Sequence, residues 1–360
     1  MENLVYSVGA AIIGLGLLIV FHEFGHFLLA KLCGVGVLTF SVGFGPKLWV
    51  KKKGETEYAL SAFPLGGYVK MVGEDPDEEV RPQDVEKSFA HKSLLKRIAI
   101  VVAGPGFNLL LALFLLMIVF TFYGVPVMST QVSGVEKGSP AERAGIAKGD
   151  RIVAIDGKPV KEWDELSQTI KASGGKPLNL QISRGSETVS LTVQPIQKEG
   201  RTVFGERKDD WIIGIGSQVS IEKGNPGLAV VRAFYQTYDY SKLTLVALFK
   251  MISGDVSPRN IGGPILIAQM AGQQAQEGLG SFLAFLAVLS INLGVLNLLP
   301  VPVLDGGHLL FFLVEAVIRK PVSVKYREMA QQVGICLLAL LMIYAFYNDI
   351  VRFFEKQVGG

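Results

Sequence analysis

Two histidines and a glutamate within the first hydrophobic segment have the types and spacing needed for metal chemistry. They belong to the pentapeptide His22-Glu23-Phe24-Gly25-His26. Residues four apart project from one face of a helix, so His22 and His26 can offer two imidazole nitrogens to one metal ion. Glu23 is then placed to take a proton from a water molecule that zinc activates. The pattern therefore predicts a zinc site with a catalytic carboxylate.

The position of this motif argues against ordinary polar residues on a helix. The motif follows about eighteen almost uncharged residues, 4–21. Ionisable side chains at membrane depth are costly and are usually kept for function. At 1.5 Å per residue, His22 lies roughly 27 Å along the helix from Leu4, toward the far side of a hydrocarbon core about 30 Å thick. We expect the metal site to lie within the membrane.

The composition indicates a membrane protein. Hydrophobic residues make up 49% of the 360 residues, and the mean hydropathy is +0.39. The net charge is only +3, and no basic stripe with interleaved aromatic residues is present, so nucleic-acid binding is not expected. Two isolated cysteines, Cys33 and Cys336, argue for neither a disulfide framework nor a cysteine-ligated metal.

Four segments are apolar enough to cross a bilayer. They are predicted at about residues 4–32, 98–123, 282–299 and 333–347. The first has no basic leader and no cleavage site, so we interpret it as a retained helix, not a signal peptide. Residues 228–252 are apolar on one side but carry several charges, which favours a helix on the membrane surface.

Residues 37–71, between the first two spans, are predicted to form β-hairpins because they alternate and are rich in aromatic residues. Such backbone is tolerated at membrane depth only where protein or a water-filled cavity shelters it. One part of this segment could offer a free strand edge to an extended substrate peptide. Its residues are Gly67, Tyr68, Val69 and Lys70. A plain structural hairpin fits the sequence equally well.

The second span begins with an unusual polar and glycine-rich motif. The motif is Gly104-Pro105-Gly106-Phe107-Asn108. Glycine allows neighbouring helices to approach closely, and Asn108 requires a partner inside the helix bundle. We expect this motif to pack against the metal site.

Residues 127–196 have the composition of a soluble domain. A short helix with Ser139 as its N-cap, a strand, a second helix and a hairpin are predicted in that order. This order, and the sequence of residues 138–160, resemble a PDZ domain in the permuted form found in bacterial proteases. The resemblance implies that this domain binds a peptide strand or a newly formed C-terminus.

The sequence thus predicts a multi-pass α-helical membrane protein with four transmembrane helices, a membrane-associated β-hairpin region and one extracytoplasmic α+β PDZ domain. Residues 1–126 are expected to hold the first two spans, and 127–196 the PDZ domain. Residues 197–280 are expected to form a linker and an amphipathic surface helix that could act as a gate. The last two spans are expected in 281–360.

The distribution of basic residues predicts the orientation. The loops 33–97 and 319–327 both hold clusters of Lys and Arg, so we expect both on the cytoplasmic side. Both termini and the PDZ domain are then extracytoplasmic, and the active site lies toward the cytoplasmic side.

With four spans, the first and third descend to the same side, which brings Asp305 and His308 toward the histidine pair. Either residue could be the third ligand, and helix capping is an alternative role for Asp305.

The motifs together resemble the bacterial site-2 proteases, the intramembrane zinc metalloproteases of the RseP/RasP type in peptidase family M50. The resemblance rests on HEFGH in the first span, the glycine-rich motif of the second span, the PDZ-like domain and residues 297–308 (NLLPVPVLDGGH). It covers nearly the whole chain. One departure is that this chain has room for a single PDZ domain, whereas some members carry two in tandem.

The resemblance implies a set of roles. One Zn²⁺ would be held by His22, His26 and Asp305, with Glu23 as general base and then acid. Asn297 would contact the substrate or the developing oxyanion, and His308 would stand beside the site or on a helix surface. The substrates would be single-span membrane proteins in the cytoplasmic membrane. Anti-sigma factors and remnant signal peptides, cut by regulated intramembrane proteolysis, are examples.

Two other functions fit parts of this sequence. A metal transporter would also place His and Asp within the membrane, but no internal repeat is visible and Glu23 would have no evident role. A PDZ scaffold with an inactive metal site is disfavoured because both metal-binding motifs are intact.

Overall fold

The structure is a computed structural model that describes residues 2–74, 80–202, 207–222, 225–320 and 322–358. The chain divides into two compact units. The helical unit comprises Met1–Val119, Pro226–Phe249 and Ser257–Gly360, and the β-rich unit comprises Phe120–Asn225 and Lys250–Val256.

The described residues form nine α-helices and ten β-strands. The helices are α1 (Glu2–Leu32), α2 (Leu94–Phe122), α3 (Pro140–Arg143), α4 (Trp163–Ala172), α5 (Pro226–Ser253), α6 (Pro264–Glu277), α7 (Leu279–Asn297), α8 (Asp305–Ile318) and α9 (Val324–Val358). The strands are β1 (Val37–Lys53), β2 (Thr56–Met71), β3 (Val125–Val135), β4 (Arg151–Ile155), β5 (Lys158–Pro159), β6 (Leu178–Arg184), β7 (Glu187–Val193), β8 (Ile196–Arg201), β9 (Arg207–Ile212) and β10 (Ile215–Glu222).

Four helices in the described part of the chain are long and apolar enough to cross a membrane, as predicted. These are α1, α2, α7 and α9, with candidate spans Val5–Leu32, Leu94–Phe122, Leu279–Asn297 and Val324–Glu355. The fourth extends well beyond the predicted residues 333–347, because α9 continues at both ends through charged residues that a hydropathy pattern excludes. The 28-residue helix α5 is not among these four, in keeping with its charges.

Small residues set the packing of α1 against its neighbours. A Cβ atom added at Gly25 would lie 2.4 Å from the backbone oxygen of Ala103 in α2, and one at Gly14 would lie 2.6 Å from Leu286 in α7. Helix association in lipid gains little from the hydrophobic effect, so close backbone approach supplies the van der Waals contact. Glycine at these positions therefore holds α1 against both α2 and α7.

The predicted β-structure between the first two spans is present as β1 and β2. Residues 39–42 of β1 pair on one side with residues 67–70 and on the other with residues 57–60. Gly43 and Gly45, with φ of 91° and 86°, allow β1 to bend directly after this segment. Residues 67–71 consequently form an edge strand, which pairs on one side only within the described residues.

The β-rich unit is built on a sheet with strand order β10-β3-β4-β6-β7, and β5 pairs with β4. Helix α4 packs on this sheet through Leu166 and Ile170, four residues apart on one helix face. These two side chains join a buried aliphatic cluster that includes Ile152, Leu180 and Ile182. The unit thus has its own hydrophobic core.

The predicted domain boundary at residue 196, followed by a linker, was wrong. Strand β10 pairs with β3 from Ile215 opposite Val135 to Glu222 opposite Val125, so the sheet requires residues well beyond 196. Most of β10 is exposed, and an edge strand with few buried side chains has the composition of a polar linker. Residues 203–206 and 223–224 of the predicted linker lie outside the described residues.

An ion pair between a buried carboxylate and a half-exposed arginine ties β6 to the residue that precedes β4. Arg184 of β6 donates from Nε and Nη2 to the two carboxylate oxygens of Asp150, both at 2.8 Å. Asp150 also accepts the backbone amide of Ala147 at 2.8 Å, and its side chain is only 2% exposed. The Arg184 hydrogen bonds lower the pKa of Asp150 from its ordinary value, although burial opposes this shift.

We predict that acidification weakens the β-rich unit through this aspartate. A carboxylate whose pKa is lowered on folding contributes stability above its unfolded pKa of about 4, and that contribution is lost as the pH falls through the lower folded value. Asp150→Asn should cost roughly 1.5–3 kcal/mol at pH 7. It should also remove this pH dependence. The measurement is amide hydrogen exchange of β4 and β6 in the full-length protein in detergent, at pH 7 and at pH 3.5, corrected for intrinsic rates.

The matched control is Glu187→Gln, which neutralises an exposed carboxylate on β7. Exchange should then remain as in the wild type. Equal protection of β4 in wild type and Asp150→Asn at pH 7 would refute the proposed stabilisation.

Candidate metal centre

The structure brings three side chains together at one point of the helical unit. His22 and His26 lie on adjacent turns of α1 and are 8% and 9% exposed. Nε2 of His22 lies 3.1 Å from Oδ2 of Asp305, and Nε2 of His26 lies 3.4 Å from Oδ1 of the same carboxylate. The two Nε2 atoms are 3.2 Å apart. The pair on α1 and the first residue of α8 therefore face one another.

This group fits a zinc ion. The three ligand atoms, two imidazole nitrogens and one carboxylate oxygen, lie within 4.8 Å of one another. Such a set leaves a fourth tetrahedral position open, as in catalytic zinc sites. Gly104 of α2 keeps the adjacent space free, because a Cβ atom there would lie 2.2 Å from Nε2 of His26 and 2.9 Å from Nε2 of His22.

The second helix also orients one imidazole ring. Nδ1 of His26 lies 2.9 Å from the carbonyl oxygen of Ile100. A carbonyl can only accept, so Nδ1 carries the proton and Nε2 keeps the lone pair that a metal requires. Pro105, inside α2, has no amide proton to donate to the carbonyl of Val101 one turn earlier. The glycine-rich motif of the second span thus packs against the site, as expected.

Asp305 is presented by a sharp break between α7 and α8. A Cβ atom at Gly306 would lie 2.1 Å from the backbone oxygen of Leu299, and one at Gly307 would lie 2.4 Å from that of Val301. Only glycine allows the preceding segment to fold this closely over the start of α8. Leu304, not Asp305, is the N-cap residue of α8. The alternative role of Asp305 as a helix cap is therefore not realised.

An ion pair links α8 to α2. Arg97 donates to Glu315 through Nη1 at 3.1 Å and Nη2 at 2.6 Å, in a two-point arrangement that fixes both distance and angle. The Arg97 guanidinium also lies 5.0 Å from the ring centre of Phe312, which is 1% exposed. No local sequence pattern signals this pairing, because its partners are more than two hundred residues apart.

A cavity of about 270 Å³ surrounds the three candidate ligands. It is lined by His22, Glu23, His26, Tyr68, Val69, Met71, Glu74, Phe89, Val101, Asn297, Val303, Leu304, Asp305, His308 and Arg327. Asn297, Tyr68 and Val69 were predicted site residues and line it. Lys70 is exposed and does not. Glu74 and Arg327 were missed, because one lies in an acidic loop and the other in a basic segment that indicated only topology.

His308 lines the cavity but does not join the candidate ligands. Among the described residues, the group that could hold a metal consists of the two histidines of α1 and Asp305. The sequence left both Asp305 and His308 open as the third ligand. The position of the carboxylate between the two Nε2 atoms favours Asp305.

Glu23 lies where the edge strand meets α1. A Cβ atom at Gly67 would approach Cγ of Glu23 to 3.2 Å and the backbone oxygen of Ser41 to 2.9 Å. The backbone amide of Val69 donates a hydrogen bond to the Glu23 carboxylate. The absence of a side chain at Gly67 thus lets the edge strand run directly beside the glutamate.

We predict that Gly104→Ala impairs metal binding while Gly106→Ala does not. The added methyl group at residue 104 would occupy the space beside both Nε2 atoms, so zinc affinity should fall by roughly tenfold or more. In the described part of the chain, no heavy atom lies within 4 Å of a Cβ added at Gly106. Both variants add one methyl group to the same helix. Zinc affinity measured by chelator competition should therefore separate them, and equal affinities would contradict the assigned space.

Comparison with known proteins agrees with this geometry. The sequence matches peptidase family M50 over residues 10–341. A protein of Rhizobium meliloti, provisionally named a zinc metalloprotease, is 37% identical over 97% of this chain and 98% of its own length. Protease RseP of Yersinia pestis is 33% identical over 98% of this chain and 100% of its own length.

The regulator of sigma-E protease RseP of Salmonella typhimurium is 32% identical, with 98% of this chain and 100% of that protein covered. Its alignment extends over 456 residues, more than the 360 of this chain, so that relative contains segments that are absent here. The match spans both candidate metal-binding motifs and all four candidate spans. The chain therefore belongs to peptidase family M50, and it is a multi-pass membrane zinc metalloprotease.

Proposed function

We propose that this protein is an intramembrane protease, which hydrolyses peptide bonds in or near the transmembrane segment of single-span membrane proteins. The observation that carries the proposal is the position of the candidate ligands and of Glu23 within α1, a helix apolar enough to span a membrane. Ionisable groups at such depth are retained for chemistry. A soluble metalloprotease would have no need to place its site there.

The cavity that the candidate residues share supports the following proposed roles. His22, His26 and Asp305 hold the zinc ion. When bound, zinc polarises the scissile carbonyl and makes water acidic near neutral pH. Glu23 accepts the proton of the attacking water as general base, and then donates it to the leaving amine as general acid. Glu23 lines the same cavity as the three proposed ligands.

Asn297 is proposed to assist the substrate carbonyl. It ends α7 and lines the cavity that contains Glu23 and Asp305. A side-chain amide can donate a hydrogen bond to the oxygen on which charge develops during peptide hydrolysis. His308 and Arg327 line the same cavity and add polar groups to it.

Residues 67–70 are proposed to hold the substrate in an extended conformation. A transmembrane helix conceals its carbonyl groups in i→i−4 hydrogen bonds, so the segment to be cut must first unwind. Residues 67–71 pair with another strand on one side only within the described residues. On the other side the Val69 amide bonds to Glu23 and the Met71 amide to Glu74, and β-strand addition by a substrate would take the place of such side-chain acceptors. The edge runs beside Glu23, which supports this role over that of a plain hairpin.

The β-rich unit is proposed to be a PDZ domain that receives a peptide or a new C-terminus. Strand β10 is at the edge of the sheet, and a cavity of about 350 Å³ lies beside it. The cavity is lined by apolar residues of α4 and of the segment from the end of β9 to the start of β10, including Trp163, Leu166, Ile170, Trp211, Ile213 and Ile215. An edge strand beside an apolar groove suits β-strand addition by a peptide. Such binding would select substrates by size or by their C-terminus.

The physiological substrates are proposed to include anti-sigma factors and remnant signal peptides. The Salmonella relative is named a regulator of sigma-E protease, which associates that protein with sigma-factor control. The orientation is proposed from the basic loops, with the metal centre toward the cytoplasmic side of the cell membrane. The PDZ domain and both termini would then be extracytoplasmic.

We predict that Glu23→Gln abolishes cleavage without loss of zinc. The amide keeps the shape of the side chain but cannot accept the proton, so cleavage of a single-span model substrate should fall by roughly a hundredfold or more. Cleavage and zinc content are measured on the same purified protein in detergent. About one zinc per chain is expected in wild type and variant.

The matched control is Glu86→Gln, which alters an exposed glutamate outside the cavity and should leave cleavage unchanged. Cleavage by Glu23→Gln at the wild-type rate, or a wild-type protein without zinc, would refute the proposed mechanism. The histidines of the first candidate span would then fit a metal transporter better than a protease.

We also predict that a bound substrate contacts the edge strand and not the opposite edge of the sheet. In Glu23→Gln protein with both native cysteines replaced, Tyr68→Cys should form a disulfide with a cysteine near the cleavage site of the substrate. Lys51→Cys, on the far segment that pairs with residues 56–61, should not. Non-reducing electrophoresis detects the product. Equal crosslinking at both positions, or none at Tyr68 while substrate co-purifies, would rule out the clamp.

A further inference from the structure

Asn108 of α2 lies beside His22 on the side of the ring away from Asp305. Its side chain is fully buried, and its Nδ2 atom lies 3.1 Å from Nδ1 of His22. The other polar atom, Oδ1, is buried without a hydrogen-bond partner among the described residues. A fully buried amide with an unpaired oxygen, in contact with a candidate ligand, calls for an explanation.

The tautomer of His22 provides that explanation. A neutral imidazole has one proton, so a ring that binds metal through Nε2 carries its proton on Nδ1. Nε2 of His22 is the atom that faces Asp305 and His26, at 3.1 and 3.2 Å. Nδ1 must then donate a hydrogen bond. The amide nitrogen of Asn108 is also a donor, so with this tautomer two donors would face each other.

The neighbouring histidine shows the arrangement that the site requires. Nδ1 of His26 faces the carbonyl oxygen of Ile100 at 2.9 Å, which fixes its proton on Nδ1. His22 has the Asn108 amide in the corresponding place. Rotation of that amide by half a turn about its Cβ–Cγ bond exchanges two atoms of nearly equal size, and presents oxygen to the ring.

We infer that Asn108 is a positioning residue of the zinc site, whose amide oxygen accepts the Nδ1 proton of His22 when Nε2 of His22 binds the metal. This inference rests on the proposed function, in which His22 is a ligand. The opposite orientation, with nitrogen toward the ring, pairs with the other tautomer, in which Nε2 carries the proton and cannot bind a metal. The orientation of one amide thus selects between a binding and a non-binding form of His22.

The surroundings of Asn108 hold the amide in place against the ring. Ser290 of α7 donates to the backbone oxygen of Asn108 at 2.7 Å. A Cβ atom at Gly294 would lie 3.4 Å from Cβ of Asn108 and 3.0 Å from the backbone oxygen of Pro105. These contacts with α7 hold the Asn108 backbone beside His22. The amide can therefore change which atom it presents, but it cannot move away from His22.

The first test uses the wild-type protein, loaded with zinc in detergent and labelled with ¹⁵N-histidine. The chain contains only four histidines, so the spectrum is simple. We expect two zinc-bound imidazoles, both with a proton on Nδ1, and a change in one of them in Asn108→Asp protein. A zinc-bound imidazole that lacks a proton on Nδ1 would overturn the inference without any variant that might fail to fold.

The second test compares two substitutions of similar size. Asn108→Asp keeps an acceptor beside Nδ1, whereas Asn108→Leu removes it. Chelator competition should give a zinc dissociation constant for Asn108→Leu that is raised roughly 10- to 100-fold, and one for Asn108→Asp within about threefold of wild type. Gly106→Ala is the control, because it alters the same helix two residues away and a Cβ atom there meets no atom of a neighbouring described element. Its affinity should be unchanged.

The outcomes separate this inference from the proposed function. Wild-type zinc affinity in Asn108→Leu, or equal losses in Asn108→Asp and Asn108→Leu, would overturn the role of Asn108 alone. Absence of zinc from the wild type would overturn the proposed function as well. Thermal unfolding in excess chelator, where all four proteins should agree, identifies any variant whose loss reflects folding.

Discussion

The close approach of α1 and α2 is the constraint on which the rest of the molecule depends. Gly25 lets the two backbones meet at Ala103, and Gly104 leaves open the space beside the two histidines. Helices in lipid gain their association from such contact, since lipid is as apolar as their side chains. The same contact brings the Ile100 carbonyl to His26 and the Asn108 amide to His22. The same part of α2 thus packs against α1 and contacts both histidines of the candidate metal site.

Non-helical backbone at the cavity supplies backbone polar groups and a side-chain position that regular helices cannot offer. Helices satisfy their own backbone groups, so a bundle of them offers no backbone partner to a substrate. Two segments of the helical unit depart from helix at the cavity. The edge strand 67–71 presents amides beside Glu23, and the break before α8 presents Asp305. Both departures depend on glycine, at Gly67 and at Gly306, where a side chain would collide with neighbouring atoms.

The β-rich unit has its own hydrophobic core and its own strand edge. It has an aliphatic core and an ion pair between the buried Asp150 and the half-exposed Arg184, and it folds around a sheet with one edge beside an apolar groove. Each of the two units therefore has its own strand edge. The edge at residues 67–71 lies at the candidate metal centre, and the edge at β10 borders an apolar groove. The proposed selection and unwinding of a membrane-embedded substrate would use both surfaces.

The sequence alone determined the features that depend on short-range periodicity. Uniform apolar runs identify the four candidate spans, the i, i+4 spacing places His22 and His26 on one face, and the number of spans places Asp305 on their side of the bilayer. Local patterns could not give the end of the β-rich unit, because β10 is an exposed edge strand with the composition of a linker. The Arg97–Glu315 pair and the choice of Asp305 over His308 depend on contacts between distant segments. For Asn108, the sequence predicts a polar partner, because an amide in an apolar helix requires one. Only the tertiary structure decided that this partner is His22.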